Sequence, residues 1–151
     1  MKKVFAALLI VTLVVSFAYA QAARGTAAEA KALLDKAVAF YKANGEAKAF
    51  AAFNDPKGQF VSKDLYIFAL DMTGKVIAHG VNPGLIGKDL SKTPDADGKF
   101  FMNEMVKVAK TKGHGSVDYK WENKVTKKVE PKSSYVQKVA DNVVLGCGYY
   151  K

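Results

Sequence analysis

The feature that most constrains this chain is a change of hydrophobic period near Asp64. Before it, Leu33, Leu34, Ala37, Val38 and Tyr41 recur at the three- and four-residue intervals of a single helical stripe. After it, Leu65-Tyr-Ile-Phe-Ala-Leu70 is an unbroken run of aromatic and aliphatic residues, the composition of a buried strand. A chain that makes this change must pack helices against a sheet. The helical part has clear ends. Thr26-Ala-Ala-Glu29 has the spacing of a capping box, in which hydroxyl and carboxylate satisfy free N–H groups at a helix start. Asn44-Gly45 offers a left-handed stop, a second helix is expected over 46–53, and Asn54-Asp55-Pro56 punctuates it.

The extended part continues in the same terms. Asp71-Met-Thr-Gly74 is a turn, and Lys75 to Val81 returns as the hairpin partner of the first strand. Asn82 to Gly98 is irregular and long for a connection with no structure of its own, which reads as functional or disordered rather than a plain link, and function is the reading favoured. Phe101, Met102, Met105, Val106, Val108 and Ala109 place an amphipathic helix between about Lys99 and Lys112, ended by Gly113. Strands follow over 116–121, 129–139 and 143–150. The order is helix, helix, strand, strand, helix, strand, strand, strand. The hairpin and the three last strands can therefore share one antiparallel sheet in an α+β domain.

Composition removes several alternatives. With 50% hydrophobic and 25% charged residues the chain is not disordered, and 151 residues are too few for two domains of about 100 each. Cys147 is the only cysteine, so neither an intramolecular disulfide nor a cysteine-based zinc or haem site replaces the core. It reads as a small buried hydrophobe, with a reactive thiol as the weaker alternative. Residues 1–20 read as a signal peptide. Met1-Lys2-Lys3 is the positive start, Val4 to Phe17 the apolar run, and Ala18-Tyr19-Ala20 the cleavage site. Cleavage after Ala20 leaves one domain over 21–151, exported and most simply periplasmic. A retained anchor competes with that reading, although the run is shorter than the ~20 residues that span hydrocarbon.

Catalysis finds little support. His79 and His114 are the only histidines, and no G-x-S-x-G, H-E-x-x-H or phosphate loop occurs, so the chain is read as a non-enzyme without a cofactor or metal. A formal charge of +9 allows a different reading, a basic surface for anionic lipid or polysaccharide. Nucleic acid is excluded by export and by the scarcity of arginine, whose bidentate fork phosphate readers favour.

Several strings then resemble one family as a set. They are Asp64-Leu-Tyr-Ile-Phe-Ala-Leu-Asp71, Gly74-Lys-Val-Ile-Ala-His-Gly80, Asn82-Pro83, Gly87-Lys88, Asp95-Ala-Asp-Gly-Lys-Phe100, Asp118-Tyr-Lys-Trp121, Pro131-Lys-Ser-Ser-Tyr135 and Gly146-Cys-Gly-Tyr-Tyr150. Together, over about residues 27–150, they resemble the single Cache domains, type 2 group, which are extracytoplasmic sensors of bacterial chemoreceptors and histidine kinases. The resemblance implies a PAS-like five-stranded antiparallel sheet, a long N-terminal helix behind it, and a loop-helix segment covering a ligand pocket. It implies small organic acids of the acetate, propionate, pyruvate or lactate class as ligands. It also implies homodimers through the N-terminal helix, although that helix's apolar stripe serves the domain core equally well. Receptor members continue into a membrane helix after the last strand, whereas this sequence stops at Lys151. A freestanding binder that passes its ligand state to a membrane receptor is the expectation that follows.

A small carboxylate needs a cation or several N–H and O–H donors within apolar walls. Two-residue spacing puts Tyr66 with Phe68, Tyr119 with Trp121, and Lys132 with Ser134 on common strand faces. Lys132, between Pro131 and two serines, suits a charge that meets an anion, and a solvated surface lysine is the competing reading. His79 offers an imidazole donor whose ordinary pKa would make affinity pH-dependent. Tyr66, Tyr119 and Trp121 wall the site or simply pack the core. Tyr135 belongs to a family string but has the opposite parity from Lys132, so a bulge or twist is needed to bring both inward. The 82–98 loop closes the mouth, with the backbone N–H groups of Asn82, Gly84 and Gly87 as candidate donors.

Overall fold

The computed structural model describes residues 23–151, and the signal peptide read over residues 1–20 lies outside the described residues. Helix α1 (Ala27–Asn44) begins with the expected box. The Thr26 hydroxyl accepts from the Glu29 N–H, and the Glu29 carboxylate accepts from the Thr26 N–H. Gly45 then serves two helices at once. Its N–H closes α1 on the Tyr41 carbonyl and its carbonyl accepts from Ala49 in α2 (Glu46–Phe53). Its φ of 78° is a conformation that a side chain would strain.

Six strands follow: β1 (Val61–Ser62), β2 (Leu65–Leu70), β3 (Val76–His79), β4 (His114–Asn123), β5 (Lys128–Ala140) and β6 (Val143–Tyr150), with α3 (Phe101–Lys112) between β3 and β4. The expected five-stranded antiparallel sheet is present in the order β3-β2-β6-β5-β4. The two-residue β1 is an addition, folded onto the start of β2 by a tight turn at Lys63 and sharing an edge of β2 with β3. β4 and β5 run further than their expected limits at both ends, because their ladder extends from the pair of His114 and Gln137 to the pair of Asn123 and Lys128, and β5 keeps pairing with β6 up to Ala140.

β6, last in sequence, lies in the middle of the sheet between β2 and β5. Its uncharged run, Val-Val-Leu-Gly-Cys-Gly-Tyr-Tyr, suits a strand covered on both faces. On one face Leu65, Ile67, Ala69, Val143, Leu145 and Cys147 pack under α1 and α2, joined by an edge-to-face pair of Phe53 and Phe60. On the other, Tyr66, Phe68, Leu70, Val117, Tyr119, Val136 and Val144 face α3 through Phe101, Met102, Met105 and Ala109. Cys147 belongs to the first face, where burial raises its thiol pKa to about 12, so it is the small buried hydrophobe of the sequence reading.

The 82–98 segment contains one 3-10 turn, Pro83–Leu85, and is fastened at both sides of the second face. Next to β3, Val76 donates to the Lys88 carbonyl and accepts from the Gly87 N–H. At β4, the Asp95 carboxylate accepts from the Lys120 N–H while also holding the N–H groups of Asp97 and Lys99. The loop thus bridges from the β3 edge to β4 above the second face.

Gly146 lets this face close. A Cβ there would strike the Phe68 ring, and one at Gly148 would strike the Lys132 stem and the Ser134 hydroxyl. We expect Gly146→Ala to lower stability in urea unfolding by about 1–3 kcal/mol, the usual cost of overpacking a filled core. An unchanged midpoint would show that Phe68 moves aside freely.

Candidate functional site

Strand register assembles the site. Lys132 on β5 is opposite Tyr119 on β4 and Tyr150 on β6, so its side chain rises between two tyrosines on the α3 face. Its Nζ lies 2.8 Å from the Tyr66 hydroxyl and 3.4 Å from that of Tyr150, and 4.2 and 4.5 Å from the centres of the same two rings. The residue is 1% exposed. Among the described residues no carboxylate comes within ion-pair distance of it. An ammonium has three donors, and here two neutral phenol oxygens and two ring faces are its protein partners. Burial lowers its pKa to about 7, only partly offset by the charge of Asp64.

The neighbouring groups are also fixed. Tyr150 donates its hydroxyl hydrogen to the Glu122 carbonyl at 2.9 Å, which leaves its oxygen turned to Lys132. The Tyr119 hydroxyl and the Ser134 Oγ share a buried hydrogen bond of 2.9 Å. The Tyr119 ring stacks on Phe101 at 4.5 Å, and Trp121 tilts against Phe101 at 5.4 Å. His79 ends β3 with its ring 4.7 Å from that of Tyr66. Its Nδ1 accepts from the Asn82 N–H at 3.1 Å, so the ring hydrogen of the neutral form is assigned to Nε2.

These residues define a compact constellation with two corrections to the sequence reading. Tyr66, His79, Tyr119, Trp121, Lys132 and Ser134 come together, whereas Tyr135 does not. The only irregularity in the β5–β6 register falls between Lys138 and Ala140, past the point where it could turn Tyr135 around. Tyr135 therefore keeps the opposite parity and packs toward α1, its ring 6.0 Å from that of Tyr149. The second correction concerns pH. Burial and the Lys132 ammonium push His79 down to about 3, so it is a neutral donor and Lys132 is the group that titrates near neutrality. Of the loop donors, Asn82 is committed to His79 and Gly87 to Val76.

Tyr66, Phe68, His79, Phe101, Tyr119 and Trp121 surround an interior space of about 20 Å³, room for one water. Lys132 and Ser134 stand behind it, bonded to the hydroxyls of Tyr66 and Tyr119. Sequence reasoning missed Tyr150, the second phenol on the ammonium, and Leu85 and Met102, which complete the wall. The adjacent Tyr149 and Tyr150 give no sign of which faces inward; only pairing with β5 decides it.

Comparison with known proteins agrees with this architecture. Residues 3–151 match the family model described as Single Cache domain 2, and the chain belongs to that family of non-catalytic sensor domains. Among curated proteins it is 35% identical, over 88 residues, to the methyl-accepting chemotaxis protein McpP of Pseudomonas putida; the alignment takes in 58% of this chain but only 16% of that receptor. Among solved structures it is similar to a periplasmic sensor domain of a chemotaxis protein, with TM-score 0.63, 26% identity, and coverage of 80% of this chain and 87% of that one. It is similar also to a Cache chemosensory domain solved to explain carboxylic acid recognition, with TM-score 0.62, 31% identity, and coverage of 80% and 85%. A methyl-accepting chemotaxis protein from Vibrio parahaemolyticus shares the fold, with TM-score 0.68 at 24% identity over 80% of this chain and 84% of that one.

The lowered Lys132 pKa has a consequence for stability. Between about pH 7 and the ordinary lysine value of 10.5 the unfolded chain holds a proton that the folded chain does not, so stability rises with pH across that window. We expect urea unfolding of the acid-free protein to show this rise between pH 7 and about 9.5, with a slope of at most about 1.4 kcal/mol per pH unit. Lys132→Met should flatten it. An equal slope in both proteins would place the titrating group elsewhere.

Proposed function

We propose that this domain captures a small organic acid of the acetate, propionate, pyruvate or lactate class beneath the 82–98 loop. Lys132 supplies the positive charge from behind the Tyr66 hydroxyl in this reading, Tyr66, Tyr119 and His79 supply the hydrogen-bonding lining, and Ser134 holds the Tyr119 hydroxyl. The single observation that carries it is the buried ammonium with phenols but no carboxylate around it. Burying such a charge costs several kcal/mol, and an anion in the same low-dielectric space returns part of that cost while taking up unused donors. The carboxylic acid recognition named for the similar Cache domain supports the same class. Acid entry requires the wall to yield, and Met102, with its flexible unbranched side chain, is suited to move.

The domain then acts as an exported, periplasmic sensor module whose ligand state is read by a membrane receptor partner, with pairing of two copies through α1 as an accompanying proposal. The rival reading, a basic surface for anionic polymers, rests on the formal charge of +9, and binding that vanishes at moderate salt would support it.

A thermal-shift screen of two- to four-carbon acids identifies the ligand, since binding to the native state raises its melting temperature. With the best acid, Lys132→Met should weaken binding in calorimetry by about 1.5–3 kcal/mol, the range for a hydrogen bond to a charged group. Unchanged affinity rejects the assigned role. The acid stays ionised above pH 6 and binds the protonated amine, so affinity should be full below about 7 and fall as pH rises above it. A pH-independent affinity in the wild type would overturn the ion-pair reading even if an acid binds.

A further inference from the structure

Outside the interior space lies a second, larger one. A cleft of about 330 Å³ opens between the loop and the β4–β5 end of the sheet, and Leu85 and Trp121 border both spaces. The partition between them is therefore made of these two side chains. Leu85 ends the 3-10 turn of the loop, and Trp121 leans on Phe101 from β4. The cleft beyond them has an apolar floor of Leu85, Pro94, Ala96, Trp121 and Val129, the last of which is 58% exposed. Its charged rim is already satisfied, with Lys120 paired to Asp97 at 2.8 Å and Lys124 to Glu122 at 3.0 Å. Such a lining suits a hydrocarbon tail better than a second anion, and its volume is within the range of small-molecule pockets.

We propose that Leu85 and Trp121 determine which acids the domain accepts. In place, they hold an acid bound near Lys132 to the inner space and exclude long tails; truncating either joins the two spaces and admits acids whose apolar tail reaches the cleft. The proposal rests on the carboxylate reading for its ligands, but the partition itself is independent of charge.

The test combines two probes. Calorimetry with acetate, propionate, butyrate and hexanoate is run on the wild type, Leu85→Ala and Trp121→Ala, each checked for a cooperative melt, with Leu85→Val replacing Leu85→Ala if the latter does not fold. The wild type should lose about tenfold or more in affinity from propionate to hexanoate, and the truncated variants should bring the two acids within about threefold. Neutral benzyl alcohol is the second probe, read in the wild type and the Leu85 variant by the emission of Trp121, the only tryptophan in the chain. It should bind the Leu85 variant about tenfold or more tightly than the wild type, whose cleft alone offers only an open apolar floor, because a joined apolar cavity takes up apolar guests. An unchanged hexanoate-to-propionate ratio in both truncated variants overturns the proposal, as does wild-type hexanoate binding equal to that of propionate. If no acid binds any protein, benzyl alcohol decides: tighter uptake by the Leu85 variant upholds the partition and rejects the carboxylate reading, and equal affinity in both proteins rejects the partition too.

Discussion

The second face of the sheet is organised around a lysine ammonium held in the protein interior between two tyrosine rings. Removing such a charge from water is costly, and the protein compensates with phenol oxygens and ring faces in place of a carboxylate. Neighbouring positions answer to that choice. Gly148 leaves room for the lysine stem, and Tyr150 is turned by the Glu122 carbonyl so that its oxygen faces the amine. His79 stays neutral partly because the same charge repels a second proton.

The two faces of the sheet differ in chemistry. Under α1 and α2 the face is aliphatic and aromatic, with Cys147 and the Phe53–Phe60 pair as ordinary packing. Under α3 and the loop, the same strands present tyrosines, a serine and a lysine. One residue of register separates the two faces, which is why Lys132 and Ser134 lie on the α3 side while Tyr135 packs against the helix layer of α1. The termini of the described domain are tied together as well. Arg24 reaches Glu130 and the Lys151 carbonyl, and Asp64 joins Gly25 to the buried Asn123, so the start of the described chain is fastened to the end of β6.

Much of the framework was legible from local signals. The Thr26 box, the Gly45 junction, the second helix and the aromatic run of β2 depend on residues within a few positions of one another, and each appears where those residues indicate. The site was legible in type: Lys132 with Ser134, and Tyr119 with Trp121, follow from strand parity. Tyr150 and Leu85 were not, because neither differs in its own neighbourhood from an ordinary strand-end tyrosine or loop leucine. An ordinary imidazole pKa points to His79 as the pH-sensitive group only if the ring is solvated; burial holds it neutral and leaves Lys132 as the group that titrates near neutrality.

Sequence by itself determined the elements, their ends and which side chains share a strand face, since backbone propensity, capping and alternation act over a few residues. Tertiary structure alone decided that β6 lies between β2 and β5, and so that Lys132 meets Tyr66, 66 positions away, and Tyr150 from the next strand. The physical reason is that a buried amine's protonation and its capacity for an anion depend on what surrounds it in space, and strand order sets those surroundings.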